Sequence, residues 1–291
     1  FVDEHTTVVF AEPFWGNYRL VFGLRHRGKL RTFPFFAEGR FNTQGLRETL
    51  ASVTGKKVLI LNFPGNPTGF SPADEDVQDI IDAVAGADGP LLVVTDDAYK
   101  GMVFEPGVLR GSLAPRLAAA LDCERALVAS VDGCTKELMF FGGRVGFLTF
   151  HTNAEASVVL DEKARTLQRA TINIPTGPAQ ELALAALQDG RLDGELATIF
   201  DILDRRYRVL KQELAGLTGR LQPFPFNSGF FALVGVDPAI DVSELRLRLI
   251  QEHSVGLIAI PSVNALRIAF CSIDSNDIPE LIRRVRLAVG A

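Results

Sequence analysis

The chain contains 291 residues, of which 47% are hydrophobic and 22% are charged, and it carries a formal net charge of −5. This composition excludes a disordered chain and is typical of a globular protein with a substantial core. The negative charge also gives no electrostatic reason to expect a nucleic acid or an anionic membrane surface as a partner.

Three cysteines (Cys123, Cys134 and Cys271) form neither a metal-binding spacing nor an even disulfide framework, so we expect a reducing, cytoplasmic environment and no metal. The four histidines are scattered and indicate no zinc site. No apolar run is long enough to span a membrane, and residues 1–5 do not resemble a signal peptide. Because the chain opens at Phe1 without an initiator methionine, we expect residues to be missing upstream.

Apolar, β-branched runs alternate with loops and helical stretches in the first half of the chain. The predicted strands cover residues 6–11, 30–36, 57–63, 91–95, 125–131 and 143–150, and the predicted helices cover residues 42–52, 71–87 and 115–121. Repeats of this kind imply crossover connections, which predict an α/β fold with a mostly parallel sheet and helices on both faces. A proline within residues 30–36 favours an edge position for that strand.

The second half of the chain changes character. Residues 153–219 read as successive helices, and strands are predicted at 229–236, 255–260 and 265–271 beside helices at 242–253 and 277–289. This pattern predicts a smaller α+β domain at the C-terminus. We expect a large domain over residues 1–203 and a small domain over residues 204–291.

Several side chains that could take part in binding or catalysis follow predicted strands. Trp15, Asn66, Asp96, Tyr99 and Lys136 each lie just beyond the carboxyl end of an apolar run. Ligands of open α/β sheets bind outside the carboxyl ends of the strands. The sequence therefore predicts that these five residues converge on one site.

The stretch from Asp132 to Phe147 carries the most suggestive chemistry. Lys136 follows a strand among small residues, where its amine could form a Schiff base with an aldehyde cofactor. Arg144 lies eight residues later, between glycine and valine. Its planar guanidinium could bind a phosphate through two parallel hydrogen bonds. Read alone, the same stretch also suits a solvated lysine and an ordinary glycine turn.

Five motifs occur in a fixed order along the chain. They are Asn66-Pro67-Thr68-Gly69, Asp96-Asp97-Ala98-Tyr99, Lys136 with Arg144, Asn227-Ser228-Gly229-Phe230-Phe231 and Leu266-Arg267-Ile268-Ala269. With these motifs the chain resembles the fold-type I pyridoxal-phosphate enzymes, specifically the class I/II aminotransferases. The resemblance runs from Pro13 to Arg267, through nearly the whole chain.

The resemblance implies catalytic roles for Lys136, Asp96 and Tyr99. Lys136 matches the lysine that holds pyridoxal 5′-phosphate as a Schiff base and, once displaced by substrate, shuttles the proton between the substrate Cα and the cofactor. Asp96 matches the carboxylate that pairs with the pyridine nitrogen, whose protonation makes the ring an electron sink. Asp97 is the adjacent alternative, but the Asp-x-Ala-Tyr spacing favours Asp96.

The same resemblance implies binding roles for further residues. Tyr99 and Asn66 match the pair that hydrogen-bonds the cofactor's phenolic oxygen, and Asn66 also matches a residue close to the substrate carboxylate. Arg144 matches the phosphate-binding arginine, and Trp15 resembles the aromatic residue that stacks on the ring. Arg267 matches the arginine that binds the substrate α-carboxylate through two hydrogen bonds and so orients the Cα–H bond.

Two departures from the family pattern stand out. The family usually has a hydroxyl residue three positions before the lysine, where this chain has Gly133, so phosphate binding is expected to depend more on Arg144. Relatives also have on the order of a hundred further residues upstream. In the family that segment supplies a phosphate loop, dimer contacts and a tyrosine that reaches the neighbouring subunit's cofactor.

The resemblance implies an aminotransferase that moves an amino group between an amino acid and a 2-oxo acid, as a homodimer in the cytoplasm. A C–S lyase or a decarboxylase on the same fold is one alternative, because fold and cofactor do not fix the bond that breaks. A ligand-sensing domain without catalysis is another alternative, and a silent fragment without the phosphate loop is a third. The sequence does not identify the amino acid.

Overall fold

The computed structural model describes residues 1–290. Its strands are β1 (Thr7–Glu12), β2 (Lys29–Pro34), β3 (Phe36–Ala37), β4 (Arg40–Phe41), β5 (Lys57–Asn62), β6 (Leu91–Asp96), β7 (Ala126–Gly133), β8 (Gly146–His151), β9 (Leu221–Pro223), β10 (Ala232–Val236), β11 (Ile258–Ile260) and β12 (Ala265–Ile268). Its α-helices are α1 (Thr43–Ser52), α2 (Val77–Ala85), α3 (Ala114–Ala120), α4 (Cys134–Glu137), α5 (Ala154–Thr171), α6 (Gly177–Gln188), α7 (Leu192–Ala215), α8 (Val242–His253) and α9 (Ile278–Val289). A π-helix covers Arg19–Arg25, and short 3-10 helices cover Asp74–Asp76, Pro261–Val263 and Phe270–Ser272.

A six-stranded sheet in the order β2-β1-β5-β6-β7-β8 forms the centre of the first half of the chain. The first five strands of that order run parallel, and β8 runs antiparallel to β7. The first five residues of β5 are all buried, because both faces of this central strand are covered. The prediction of a mostly parallel sheet is confirmed, and β2 lies at an edge as its proline indicates.

Helices α1, α2 and α3 contribute to the larger apolar core on this sheet, which buries Leu46, Ile80 and Leu117 among others. The start of α1 matches its sequence signal, since the Asn42 side chain accepts a hydrogen bond from the Gly45 amide at 2.9 Å. The opposite face holds a smaller cluster around Phe10. No helix within residues 1–290 has both the length and the apolar character needed to cross a membrane.

The sequence placed the start of α2 too early. Ser71 and Pro72 suggest a helix from residue 71, whereas α2 begins at Val77 after the 3-10 turn. The Ser71 amide instead donates to Asn227 Oδ1 at 2.9 Å, and its hydroxyl donates to the Leu109 carbonyl at 2.9 Å. Ser71 therefore bonds to distant parts of the chain and caps no helix.

A four-stranded antiparallel sheet in the order β11-β12-β10-β9 lies in the C-terminal part. Helices α7, α8 and α9 share one core with it, in which Leu210, Leu245 and Ile282 are buried. Strand β9 was not predicted, because three residues that include a proline carry almost no strand signal. The predicted domain division at residue 204 falls inside α7 and stays a prediction.

Strand β8 ends the large sheet with an unusually open edge. Residues 146–149 are exposed, and neighbouring side chains on a strand point to opposite faces, so Phe147 and Leu148 leave apolar surface on both faces. The following helix α5 has no buried residue. Together β8, α5 and α6 form a surface with many exposed apolar side chains, which we call the β8–α6 face.

The two sheets meet where the loop after β5 contacts the loop before β10. The Gly69 carbonyl accepts hydrogen bonds from the amides of Asn227 and Ser228, each at 3.0 Å. Asn227 also pairs with the backbone of Ser71 through both atoms of its side-chain amide. A Cβ atom on Gly69 would lie 1.8 Å from the Phe231 carbonyl oxygen. The junction therefore requires glycine at this position.

Replacing Gly69 with alanine should lower the free energy of unfolding by roughly 3 kcal/mol or more, through backbone strain and overpacking together. Gly219→Ala is the matched control. Gly219 has a similar positive φ of 71°, but a Cβ there meets nothing within 4 Å. Its variant should lose only about 1–2 kcal/mol, the cost of the left-handed backbone. Urea unfolding measures both values, and equal losses would contradict the close approach at Gly69.

Candidate active site

A cavity of ≈ 670 Å³ opens at the carboxyl ends of β5, β6 and β7. Its lining includes every residue that the sequence assigned to the site, namely Trp15, Asn66, Asp96, Tyr99, Lys136, Arg144 and Arg267. The large sheet and its loops supply all of these except Arg267, which comes from β12 of the small sheet. The structure thus brings together residues that are far apart in sequence, from Trp15 to Arg267.

Lys136 lies on the short helix α4, which begins directly after β7 ends. Its Nζ is 4.9 Å from the centre of the Phe141 ring and 5.8 Å from the centre of the Tyr99 ring. Burial lowers the pKa of the Lys136 amine, and the positive charges of Arg144 and Arg267 lower it further, against the effect of Cys271. A larger share of this amine is therefore neutral and nucleophilic than in an exposed lysine.

Helix α4 is attached to its surroundings by a second lysine. Lys100 Nζ lies 3.1 Å from a carboxylate oxygen of Asp132 on β7 and 3.2 Å from one of Glu137 on α4. These partly buried contacts raise the pKa of Lys100 in spite of its desolvation. Lys100 thus links the end of β7 to the helix that carries Lys136.

Asp96 ends β6 and faces the cavity. Its Oδ1 accepts a hydrogen bond from the Ala98 amide at 3.3 Å, and its Oδ2 accepts one from the Tyr18 hydroxyl. Burial raises the pKa of the Asp96 carboxyl, and these two hydrogen bonds oppose that rise. Asp97, the alternative by sequence, is buried outside the cavity lining and accepts from the Thr95 hydroxyl at 3.0 Å.

Asn66 connects two other residues of the site. Its side-chain amide donates to the Tyr99 hydroxyl at 3.5 Å, and its Oδ1 accepts from Arg267 Nη1 at 3.0 Å. The Asn66 backbone amide in turn donates to Asn62 Oδ1 at 2.8 Å. Burial raises the pKa of the Tyr99 hydroxyl well above its ordinary value, so this group stays a neutral donor and acceptor.

The guanidinium of Arg267 contacts Phe231 and Asn66, but one of its nitrogens has no acceptor among residues 1–290. Its guanidinium carbon lies 4.3 Å from the centre of the Phe231 ring, a cation–π contact. Its Nη1 bonds to Asn66, while its buried Nε has no acceptor among residues 1–290. Because a buried donor without an acceptor costs free energy, the Nε side of Arg267 is suited to an anionic ligand.

Arg144 and Gly133 both line the cavity. Arg144 is exposed and has a positive φ of 54°, and its Nη1 reaches the Phe141 carbonyl at 3.5 Å. A Cβ on Gly133 would lie 2.8 Å from the Val145 carbonyl oxygen and 3.0 Å from the Gly146 Cα. The close approach of the chain before β8 therefore explains why no hydroxyl side chain stands at position 133.

Sequence reasoning missed several contributors to the site. Tyr18 contacts Asp96, 78 positions away, and Lys100 contacts Asp132, 32 positions away. No local motif indicates either pair. Asn227 was noticed as part of a motif, but its bonds to the loop that carries Asn66 were not foreseen. The position of Tyr18, three residues after Trp15, was the one signal that could have drawn attention to it.

Comparison with known proteins settles the family. A family model described as aminotransferase class I and II matches residues 1–285. The chain belongs to the class I and II aminotransferases. This confirms the family that the five sequence motifs indicated.

Curated members of the family match this chain at modest identity. The aromatic-amino-acid aminotransferase 2 of Thermococcus litoralis is 29% identical over 192 residues, which cover 66% of this chain and 45% of that protein. The aspartate aminotransferase of Pyrococcus abyssi is 28% identical over 216 residues, which cover 74% of this chain and 51% of that protein. The chain thus spans about half the length of the curated relatives it matches.

Solved aminotransferase structures confirm the fold. An aminotransferase from Anaerococcus prevotii superposes with a TM-score of 0.85 at 20% identity, covering 100% of this chain and 71% of the other. The aromatic aminotransferase from Pyrococcus horikoshii gives a TM-score of 0.80 at 22% identity, covering 99% and 74%. The predicted α/β fold of fold type I is therefore correct for this family member.

Class I and II aminotransferases use pyridoxal 5′-phosphate, and the donor set of the cavity fits this cofactor. The Lys136 amine suits its aldehyde, the Asp96 carboxylate suits its ring nitrogen, and the linked Asn66 and Tyr99 side chains suit its phenolic oxygen. For the phosphate, Arg144 is the guanidinium at the cavity mouth. No group of His, Cys, Asp or Glu among residues 1–290 is arranged to bind a metal ion.

The desolvation of Lys136 predicts a pH dependence for its reaction with aldehydes. Burial lowers the pKa of the amine from the ordinary value of 10.5, so trapping of an aldehyde on Lys136 by borohydride should reach half its maximum below that pH. Peptide mass spectrometry over a pH series measures this midpoint for each lysine. In urea, where burial is lost, the Lys136 midpoint should rise. An unchanged midpoint in urea would contradict the role of burial.

Proposed function

We propose that the protein is a pyridoxal-phosphate-dependent aminotransferase of amino acid metabolism, which moves an amino group between an amino acid and a 2-oxo acid. One observation carries this proposal. The partly buried amine of Lys136 shares a cavity with the Asp96 carboxylate and with Arg267, whose buried Nε has no acceptor among residues 1–290. A cytoplasmic location is part of the proposal, and the odd number of cysteines supports it.

In this proposal each side chain holds one part of the cofactor. Lys136 binds the aldehyde carbon, Asp96 pairs with the ring nitrogen, and Asn66 and Tyr99 hydrogen-bond the phenolic oxygen. Arg144 would bind the phosphate, and the Trp15 ring would stack on the cofactor ring. When bound, pyridoxal phosphate supplies a carbonyl for the substrate amine and an electron sink for the charge left at Cα.

Lys136 acts as the acid–base residue of the proposed reaction. Once free of the cofactor, its Nζ would accept the proton from the substrate Cα and deliver it to the former aldehyde carbon. The lowered pKa of this amine suits both steps, because a general base works best with a pKa near the working pH. Lys100 supports the step by fixing the helix on which Lys136 lies.

Arg267 and Asn66 orient the substrate. A carboxylate placed against the Nε side of Arg267 supplies the acceptor that this buried nitrogen lacks. The contacts of the guanidinium with Asn66 and Phe231 hold it in one orientation before substrate arrives. A fixed carboxylate in turn fixes the direction of the Cα–H bond relative to Lys136, which is the positioning that the reaction requires.

Transamination can be tested by following both products. With pyridoxal phosphate, an amino acid and an acceptor 2-oxo acid, the protein should form a new amino acid and a new 2-oxo acid in equal amounts. Lys136→Ala should slow this conversion by at least about 100-fold, the usual contribution of a positioned acid–base group. Lys29→Ala, which removes an exposed lysine from the edge strand β2, is the control and should not change the rate.

Two outcomes would contradict the proposal. Release of ammonia without any need for an acceptor 2-oxo acid would indicate a lyase or another reaction of the same fold. Full activity of Lys136→Ala would remove Lys136 from the chemistry.

The second part of the proposal is that the protein acts as a homodimer and that a second copy covers the β8–α6 face. A groove of ≈ 1010 Å³ on this face shares Arg144, Val145 and Gly146 with the cavity. Leu148, Leu167 and several other apolar side chains on the face are exposed. Apolar surface of this extent is typical of protein–protein contacts, and its continuity with the cavity would bring the partner next to the site.

Leu184→Arg tests this surface. The leucine lines the groove and is 49% exposed, so burying an unpaired guanidinium there should weaken self-association by roughly 100-fold or more. Leu247→Arg on α8 changes a leucine that is 50% exposed away from the groove and should leave association unchanged. Sedimentation velocity over a range of concentrations measures both. A monomeric wild-type protein, or an intact dimer of Leu184→Arg, would contradict the assigned interface.

A further inference from the structure

Tyr18 is a buried tyrosine whose ring is enclosed by other aromatic rings. It follows β1 and directly precedes the π-helix. The ring centre of Phe10 lies 5.9 Å away, that of Trp15 5.7 Å, that of Phe22 6.0 Å and that of Phe14, which is stacked on it, 6.4 Å. Contacts on so many sides restrict the ring, so the position of its hydroxyl is fixed by packing.

The hydroxyl of Tyr18 donates a hydrogen bond to Asp96 Oδ2 across the end of the sheet. The other carboxylate oxygen, Oδ1, accepts from the Ala98 amide at 3.3 Å, a longer contact. Tyr18 therefore supplies the side-chain donor that fixes the Asp96 carboxylate. Within residues 1–290 this aspartate forms no ion pair.

The surroundings of Asp96 otherwise favour its protonated form. The titratable groups that face it are Tyr18 and Tyr99, both neutral acids, while β5 presents the uncharged Asn62 and β7 the apolar Val131. Burial raises the pKa of the Asp96 carboxyl, and the hydrogen bond from Tyr18 is the largest influence in the opposite direction. Burial and the Asp96 charge raise the pKa of Tyr18, so its proton stays on the phenol and remains available to donate.

We propose that Tyr18 is a positioning residue that keeps Asp96 ionised and aims its carboxylate at the protonated ring nitrogen of pyridoxal phosphate. The inference deepens the proposed function and rests on it for the identity of the ligand. A neutral Asp96 could form no ion pair with that nitrogen, and a rotated carboxylate would meet it poorly. Tyr18 acts through Asp96 and touches no reacting atom.

The first test measures Asp96 itself in the cofactor-free protein. Carbon-13 NMR of labelled aspartate carboxyls, with the Asp96 signal assigned from Asp96→Asn, gives its titration midpoint. Tyr18→Phe keeps the packed ring and removes the hydroxyl, so the Asp96 pKa should rise by roughly one to two. Tyr207→Phe is the matched control, because it removes a hydroxyl that donates to the distant Glu105 carboxylate. The same Asp96 midpoint in Tyr18→Phe and in the wild type would overturn the inference.

The second test separates the charge effect from packing. Pyridoxal phosphate and an analogue with carbon in place of the ring nitrogen are titrated into the wild type and Tyr18→Phe. The variant should bind pyridoxal phosphate roughly tenfold or more weakly and bind the analogue as the wild type does. Equal weakening of both ligands would overturn the inference and assign Tyr18 to packing. A wild type that binds neither ligand would contradict the proposed function, while the NMR titration would still decide whether Tyr18 controls Asp96.

Discussion

The close approach of two loops at Gly69 is the constraint on which the cavity depends. The Gly69 carbonyl accepts hydrogen bonds from the amides of Asn227 and Ser228, and this contact brings the loop after β5 against the loop before β10. Asn66, on the loop after β5, and Arg267, on β12 of the small sheet, lie within hydrogen-bond distance across this junction. A glycine that tolerates contact with the Phe231 carbonyl thus decides the geometry of residues that carry the chemistry.

Partial burial gives the site its chemical character. It lowers the pKa of Lys136 and raises the pKa of both Asp96 and Tyr99, so burial favours the uncharged form of all three groups. The effect of burial on the pKa is opposed by a neighbour at Asp96 and is useful for the chemistry at Lys136. Tyr18 opposes the rise at Asp96, and the desolvation of Lys136 favours the neutral amine that reacts with a carbonyl.

Much of the site could be predicted because parallel strands bring their carboxyl ends to one edge of a sheet. Asn66, Asp96 and Lys136 follow three such strands, so their convergence follows from strand order alone. Tyr18 and Lys100 could not be predicted in this way, because their partners lie on other strands and no local spacing encodes those pairs. The start of α2 was misjudged for the same reason, since Ser71 bonds to the distant Asn227.

The central claim is that Lys136 is the residue that binds pyridoxal phosphate. It is tested most directly by incubating the full chain with the cofactor, reducing with borohydride and locating the added phosphopyridoxyl group by peptide mass spectrometry. We predict that one equivalent of cofactor modifies Lys136 before any other lysine. Modification of other lysines with Lys136 left free would contradict the claim.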